Sequence, residues 1–272
     1  MNKHFITFLI LIISFVSCKK NHKVIDRDDD GNIESIHYYN KDKKIDSSYL
    51  YYPSQKLKQV VYFNAGDSLS YTVIYKEDGT KRAEGNIVRN NLDYRIGNWQ
   101  QYGGEKTDSI VEYINMNNKS YINQVWVLNK KTKDTIRNKG NYYYIFNKDT
   151  ISVNDTLEYR FYLFQPYFSY DSDMLVVMPE NDNDLKEDFS NIDDIKKNTF
   201  YSLKNDGIPH PEIPKEVPKN HNANFGIIYK KPGEERIRGY ISEYVKDKKD
   251  TTKRMERILF FDETIYVKDS VN

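Results

Sequence analysis

Short aromatic runs recur through the first half of this chain and constrain its fold more than any other feature. His37-Tyr38-Tyr39, Tyr49-Leu50-Tyr51-Tyr52, Val60-Val61-Tyr62-Phe63 and Tyr71-Thr72-Val73-Ile74-Tyr75 follow one another at roughly 11 to 13 residues, with turn residues between them. Short runs of aromatic and β-branched residues, punctuated by turns, read as antiparallel strands. Asp30-Gly31 and Asp78-Gly79 are hairpin dipeptides, because glycine takes φ > 0 without a steric penalty. One such hairpin cannot bury its apolar face alone, so neighbours must stack. With 24 tyrosines and 13 phenylalanines the chain has material for a core despite its polar average.

Two segments carry a resemblance. Tyr75-Lys76-Glu77-Asp78-Gly79-Thr80-Lys81-Arg82-Ala83-Glu84-Gly85 and Gly97-Asn98-Trp99-Gln100-Gln101-Tyr102-Gly103-Gly104 are similar to MORN-variant repeats. That family's pattern is an aromatic pair, a turn with glycine, then Gly-x-Trp-x-x-Tyr. The earlier copies, at Tyr39–Lys43 and Tyr51–Gln55, lack the turn glycine. The resemblance implies antiparallel β-hairpin repeats over residues 24–115, about a third of the chain. Related bacterial proteins often carry an antitoxin label, but a shared fold does not transmit an activity.

Residues 116–272 read as a β-sandwich-like domain. Glu158–Phe164 alternates charged and apolar at its start and then turns apolar on both faces. Asp173–Met178 reads as a buried strand. Residues 179–224 break the pattern with a polar, Pro-rich stretch carrying Pro209, Pro211, Pro214 and Pro218. The expectation there is a long loop of disordered composition, with a short helix near Ile192–Asn198. Strands are expected again at Phe225–Lys230, Arg236–Tyr244, Met255–Phe261 and Thr264–Lys268. The fold class is therefore all-β: hairpin repeats, then a sandwich.

The N-terminus gives an address. A basic start, Met1–His4, precedes an apolar run from Phe5 to Val16, then Ser17 and Cys18. The run is shorter than the ~20 residues that cross a bilayer as a helix. A positive end, a short apolar core and a small residue before the cut make a secretory signal over residues 1–17. Phe15-Val16-Ser17-Cys18 resembles the lipobox of bacterial lipoproteins, with phenylalanine in place of the usual leucine. The resemblance implies a thioether-linked lipid on Cys18 with acyl chains such as palmitate, and a tether over residues 18–23. Two or more chains hold a protein on a membrane, at ~0.8 kcal/mol per buried CH₂. Lys19 is not the aspartate that retains many lipoproteins in the inner membrane. Nor does an acidic surface-export cluster follow Cys18, as it does in many Bacteroidota lipoproteins. The resemblance thus favours the outer membrane, facing the periplasm.

Cys18 is the sole cysteine, so a lipidated chain has no internal disulfide and no thiol chemistry. With 41 basic and 40 acidic residues, no clustered basic balance points to nucleic acid.

Candidate sites are few. Asp26-Arg27-Asp28-Asp29-Asp30-Gly31 has the first half of a calcium loop, but His37 stands where the bidentate glutamate belongs. An Asp-rich hairpin turn is the competing reading. His22, His37, His210 and His221 lack the spacing of a metal pair and read as solvated loop histidines. No nucleophile elbow, phosphate loop or zinc helix motif occurs. The expectation is no catalytic residue, no metal and no cofactor. The tyrosines are either the stacked interior of the repeats or an exposed platform for sugar rings, and Trp99 and Trp126 read as core anchors. Asp followed by Ser or Thr and an aliphatic residue or Thr recurs at Ser68, Ser109, Thr135, Thr150, Thr156, Thr251 and Ser270. The triplet resembles the O-glycosylation motif of Bacteroidota envelope proteins. It is equally what a turn ending in Asp before a β-branched strand would give.

The functional expectation is a membrane-anchored, non-enzymatic binding or scaffold module with an unidentified envelope partner. An immunity or antitoxin-like protein and a glycan-binding lipoprotein are the alternatives.

Overall fold

The computed structural model describes residues 22–64, 66–89, 91–246 and 253–269. Its secondary structure is β, apart from single 3₁₀ turns at Asp182–Asp184 and Lys219–His221. No helix of the described residues is long and apolar enough to cross a membrane. The chain forms two compact units, one ending at Arg82 and the other starting at Ala83.

The first unit is a meander of five antiparallel strands: β1 (His22–Arg27), β2 (Ile33–Tyr39), β3 (Ile45–Tyr51), β4 (Leu57–Phe63) and β5 (Leu69–Tyr75). Each pairs with the next. Tyr38 lies opposite Ser47, Tyr49 opposite Val60, and Tyr62 opposite Tyr71. Because side chains alternate across a strand, these four tyrosines share one face. Ser35, His37, Ser48, Gln59 and Thr72 occupy the other.

Two of the hairpin turns do without glycine. Gly31 and Gly79 sit at φ 83° in turns closed by hydrogen bonds to Asp28 and Lys76. Lys43 (φ 59°) and Gln55 (φ 61°) take the same left-handed position in turns closed onto Asn40 and Tyr52. The missing glycines are replaced by residues that accept the strain, and the turn is kept.

In the second unit the strands are β6 (Lys81–Val88, at whose start the division falls), β7 (Arg95–Gln101), β8 (Thr107–Met116), β9 (Lys119–Asn129), β10 (Thr135–Phe146), β11 (Thr150–Ser152), β12 (Thr156–Gln165), β13 (Asp173–Pro179), β14 (Lys197–Tyr201), β15 (Asn222–Ile228), β16 (Gly233–Lys246) and β17 (Arg254–Lys268). One sheet runs β6-β7-β8-β9-β10-β12-β15, and the other β11-β17-β16-β13-β14. Among the described residues, paired strands of this unit run antiparallel except β11 with β17. The sheets face each other across a buried core. Tyr143, Leu157, Tyr159, Phe161 and Leu163 come from the first, and Met174, Val176, Ile241, Leu259 and Phe261 from the second. Each large side chain removed from water there contributes ~1.5–3 kcal/mol.

Two expectations need correction. The segments Met255–Phe261 and Thr264–Lys268 are a single strand, β17, paired with β16 along its whole length. The stretch 179–224 is not a featureless loop. It contains β14, paired with β13, and turns rather than a helix around Ile192. Leu185, Phe189 and Ile192 are buried against Phe260. Arg238, 3% exposed, reaches the Asp182 carboxylate and the carbonyls of Asp182 and Leu185. Long-range anchors of this kind hold a polar segment that composition alone would leave unfolded.

A candidate binding face on the second unit

β10 and β12 place one row of side chains into the core and the other outward. The inward row is Tyr143 and Ile145 beside Tyr159, Phe161 and Leu163. The outward row is Tyr142, Tyr144 and Phe146 beside Arg160, Tyr162 and Phe164. The register puts Tyr144 opposite Tyr162 and Phe146 opposite Arg160. Rings touch along this row: Tyr142 stacks on Phe164 with centroids 5.4 Å apart, and Trp126 lies 5.8 Å from Tyr142. Tyr144 meets Phe164 edge-on at 5.5 Å, and Phe164 meets Tyr162 at 5.4 Å. Offset and edge-to-face pairs at such distances each contribute about 0.5–1.5 kcal/mol beyond burial.

The row is covered at one end and open at the other. Tyr142 is 1% exposed, whereas Tyr144 and Phe146 are 41% and 54% exposed. Burial, with the Tyr144 and Tyr170 hydroxyls, pushes the Tyr142 phenol up to about 12. Beyond Phe146 lies a groove of about 400 Å³ lined by Asn147, Lys148, Thr156, Glu158 and Arg160. On the next strand, Asn224 lies opposite Arg160, and Gly226 lies opposite Glu158. Arg160 and Glu158 form an exposed pair at 3.3 Å, which water screens and which holds neither firmly. Trp126, expected in the core, is half-buried on this row, whereas Trp99 is fully buried.

Two polar clusters merit comparison with catalytic sets. In the second unit, the Ser172 hydroxyl lies 3.0 Å from His221 Nε2 and 2.8 Å from Glu243 Oε1. All three residues are fully buried, so His221 is no solvated loop residue. Burial lowers the His221 pKa and raises that of Glu243. The serine stands between the histidine and the acid, whereas general-base activation needs the histidine in the middle. The Glu243 carboxylate instead accepts the Tyr167 and Phe168 N–H groups, which makes the cluster an internal brace for the turn after β12.

In the first unit, Asp26 and Ser35 flank His37 Nε2, and His37 Nδ1 lies 2.7 Å from the Ser48 hydroxyl. That order does match acid, base and hydroxyl. Ser48 is buried at 4% exposure, however, so its oxygen is not presented to a substrate.

The Asp-rich turn uses its own carboxylates. Asp28 accepts from the Asp30 and Asn32 backbones and from the Asn32 side chain. Among the described residues no group of three His, Cys, Asp or Glu is arranged for a metal ion. His210 is bound by Asp206 at 2.7 Å and by Glu212, and the Asp206 hydrogen bond leads in raising its pKa.

Of the triplet positions, Ser68 and Thr156 are exposed, and Ser109, Thr135 and Thr150 are half-buried. Thr135, Thr150 and Thr156 are the first residues of β10, β11 and β12, and Ser68 directly precedes β5. That placement is what the turn-to-strand reading requires. Cys18, Thr251 and Ser270 lie outside the described residues. Tyr144, Phe146, Lys148 and Arg160 were not singled out by sequence. The available signal was the run Glu158–Phe164, which alternates charged and apolar at its start and then turns apolar on both faces.

No known protein family matches the chain, and no curated protein is similar to it.

Proposed function

We propose that this chain is a lipid-anchored protein of the bacterial envelope that acts as a non-catalytic binding module. The observation that carries the reading is the open aromatic row ending at Tyr144 and Phe146 beside a polar groove. Large exposed aromatic patches with a polar rim mark binding surfaces. The anchor rests on the lipobox-like Phe15-Val16-Ser17-Cys18, the outer membrane on Lys19, and the MORN-variant kinship on Gly97–Gly104.

The test separates anchor from face. In its native envelope the full chain should fractionate with membranes and incorporate labelled palmitate. Cys18→Ser should release it to the soluble fraction without label. The double variant Tyr144→Ala/Phe146→Ala should stay on the membrane but lose its ligand. A Cys18→Ser chain that remains membrane-bound would sink the anchor. A double variant that retains every interaction of the parent would sink the face.

A further inference from the structure

We propose that the face ending at Phe146 binds an acidic oligosaccharide, with a pyranose ring on Tyr144 and Phe146 and its carboxylates on Lys148 and Arg160. The proposal deepens the binding-module reading and rests on it.

Three observations lead there. The first is the kind of surface. A pyranose ring has an apolar C–H face and a polar rim, so its complement is an exposed aromatic ring beside planar hydrogen-bonding groups. Phe146 is 54% exposed, and its cross-strand neighbour is the guanidinium of Arg160, with the Asn224 amide one strand further on.

The second is shape. The groove beyond Phe146 is concave, about 400 Å³, and within the size range of small-ligand sites. Gly226 on β15 lies opposite Glu158, and the Thr156 methyl of the groove packs over it. A Cβ there would come within 2.6 Å of the Thr156 methyl.

The third is charge. The chain as a whole is balanced, but this face is not. Lys148, which lines the groove, makes no ion pair among the described residues. Arg160 has only its loose pair with Glu158. Within the groove two cations, Lys148 and Arg160, stand against the single carboxylate of Glu158, which favours an anionic ligand over a neutral sugar. A concave groove is a poor seat on a flat bilayer, which favours a glycan over an anionic lipid surface.

The test is calorimetric titration of the full chain, held in detergent micelles, with tetragalacturonate and with a hyaluronan hexasaccharide. Maltotetraose, oligothymidylate and phosphatidylglycerol vesicles are the comparators. Saturable binding of at least one acidic sugar is expected, weakening as salt rises. Maltotetraose should bind much more weakly. Phe146→Ala should cost about tenfold in affinity, the size of one lost ring contact. Lys148→Ala should weaken the acidic sugar and flatten its salt dependence, leaving maltotetraose unchanged. Both side chains are exposed, so an unchanged melting temperature certifies each variant.

No saturable binding of either acidic sugar overturns the proposal. So does equal binding of maltotetraose, full affinity in both variants, or tighter binding of oligothymidylate or vesicles through the same side chains. A chain that is lipidated on Cys18 but fails this titration leaves the binding-module reading standing and removes the acidic-sugar assignment.

Discussion

The contact between Gly85 on β6 and Trp99 on β7 shows how tightly a glycine can seat a buried indole. A Cβ on Gly85 would lie 2.6 Å from the indole ring. The ring cannot step aside: it is fully buried, donates from Nε1 to the Asn86 carbonyl, and has the Arg95 guanidinium 4.4 Å from its centroid. Gly85→Ala should therefore cost about 1–3 kcal/mol of stability, read as a lower urea midpoint. An unchanged midpoint would mean that the indole has room to move. Although its contact with Gly85 on the neighbouring strand gave no local signal, the core position of Trp99 was legible in the sequence. His221 was not, since its partners Ser172 and Glu243 are far away in the chain. Its ordinary pKa of 6.5 is lowered in the fold, chiefly by burial. A depressed value means that the neutral ring contributes stability above pH 6.5, which is lost as pH falls through the folded value. The charged neighbours are Glu243, Asp173 and Lys204. Glu243, raised by burial, acts in the opposite sense. Urea titrations of parent and His221→Asn should show a steeper acid-side loss in the parent. The variant should also be weaker at pH 8 by about 1–3 kcal/mol, for the broken buried hydrogen bond. Parallel pH curves would refute the titration.

Hairpins and loops differ in how far they can be read locally. The repeating strands were visible because each aromatic run forms its own element and the register follows from alternation. The strained turns were not, because nothing in Lys43 announces φ 59°. A non-glycine residue in the left-handed region costs on the order of 1 kcal/mol. Lys43 is exposed, so Lys43→Gly should raise stability by about 0.5–1 kcal/mol in thermal unfolding, once the entropy of glycine is set against the relieved strain. A lower melting temperature would show that the lysine side chain contributes more than its backbone costs. The segment 179–224 was misread for the converse reason. Leu185, Phe189 and Ile192 stand at helical spacing yet fold as turns, and the residue that holds them, Arg238, lies on β16. Truncating the buried Arg238 strands Asp182 and frees two carbonyls. Limited proteolysis of Arg238→Ala should thus open cleavage sites between 182 and 192 that the parent protects, at a cost of about 3 kcal/mol. Unchanged cleavage would assign the anchoring to the apolar residues alone.

At the scale of the whole molecule, the two units are built on different amounts of core. The first holds one sheet, and its β1 is exposed along all six residues. Val60, Val61 and Thr72 are nonetheless almost fully buried. The second unit closes two sheets over a shared core, and all but the first residue of β13 are buried. Local opening follows the amount of apolar surface that must be exposed, so amide exchange should rank the strands. β1 should exchange first, β3 to β5 next, and β12, β13 and β16 last. Exchange followed by mass spectrometry at fixed pH reads this order directly. Protection of β3 and β4 equal to that of β13 would mean that the single sheet is as cooperative as the sandwich. The same data bear on the open face. Tyr144 and Phe146 stand on β10, whose inward Tyr143 hydroxyl donates to the Phe260 carbonyl across the core. Slow exchange at β10 would place the exposed rings on a rigid support, as recognition without a large ordering cost requires.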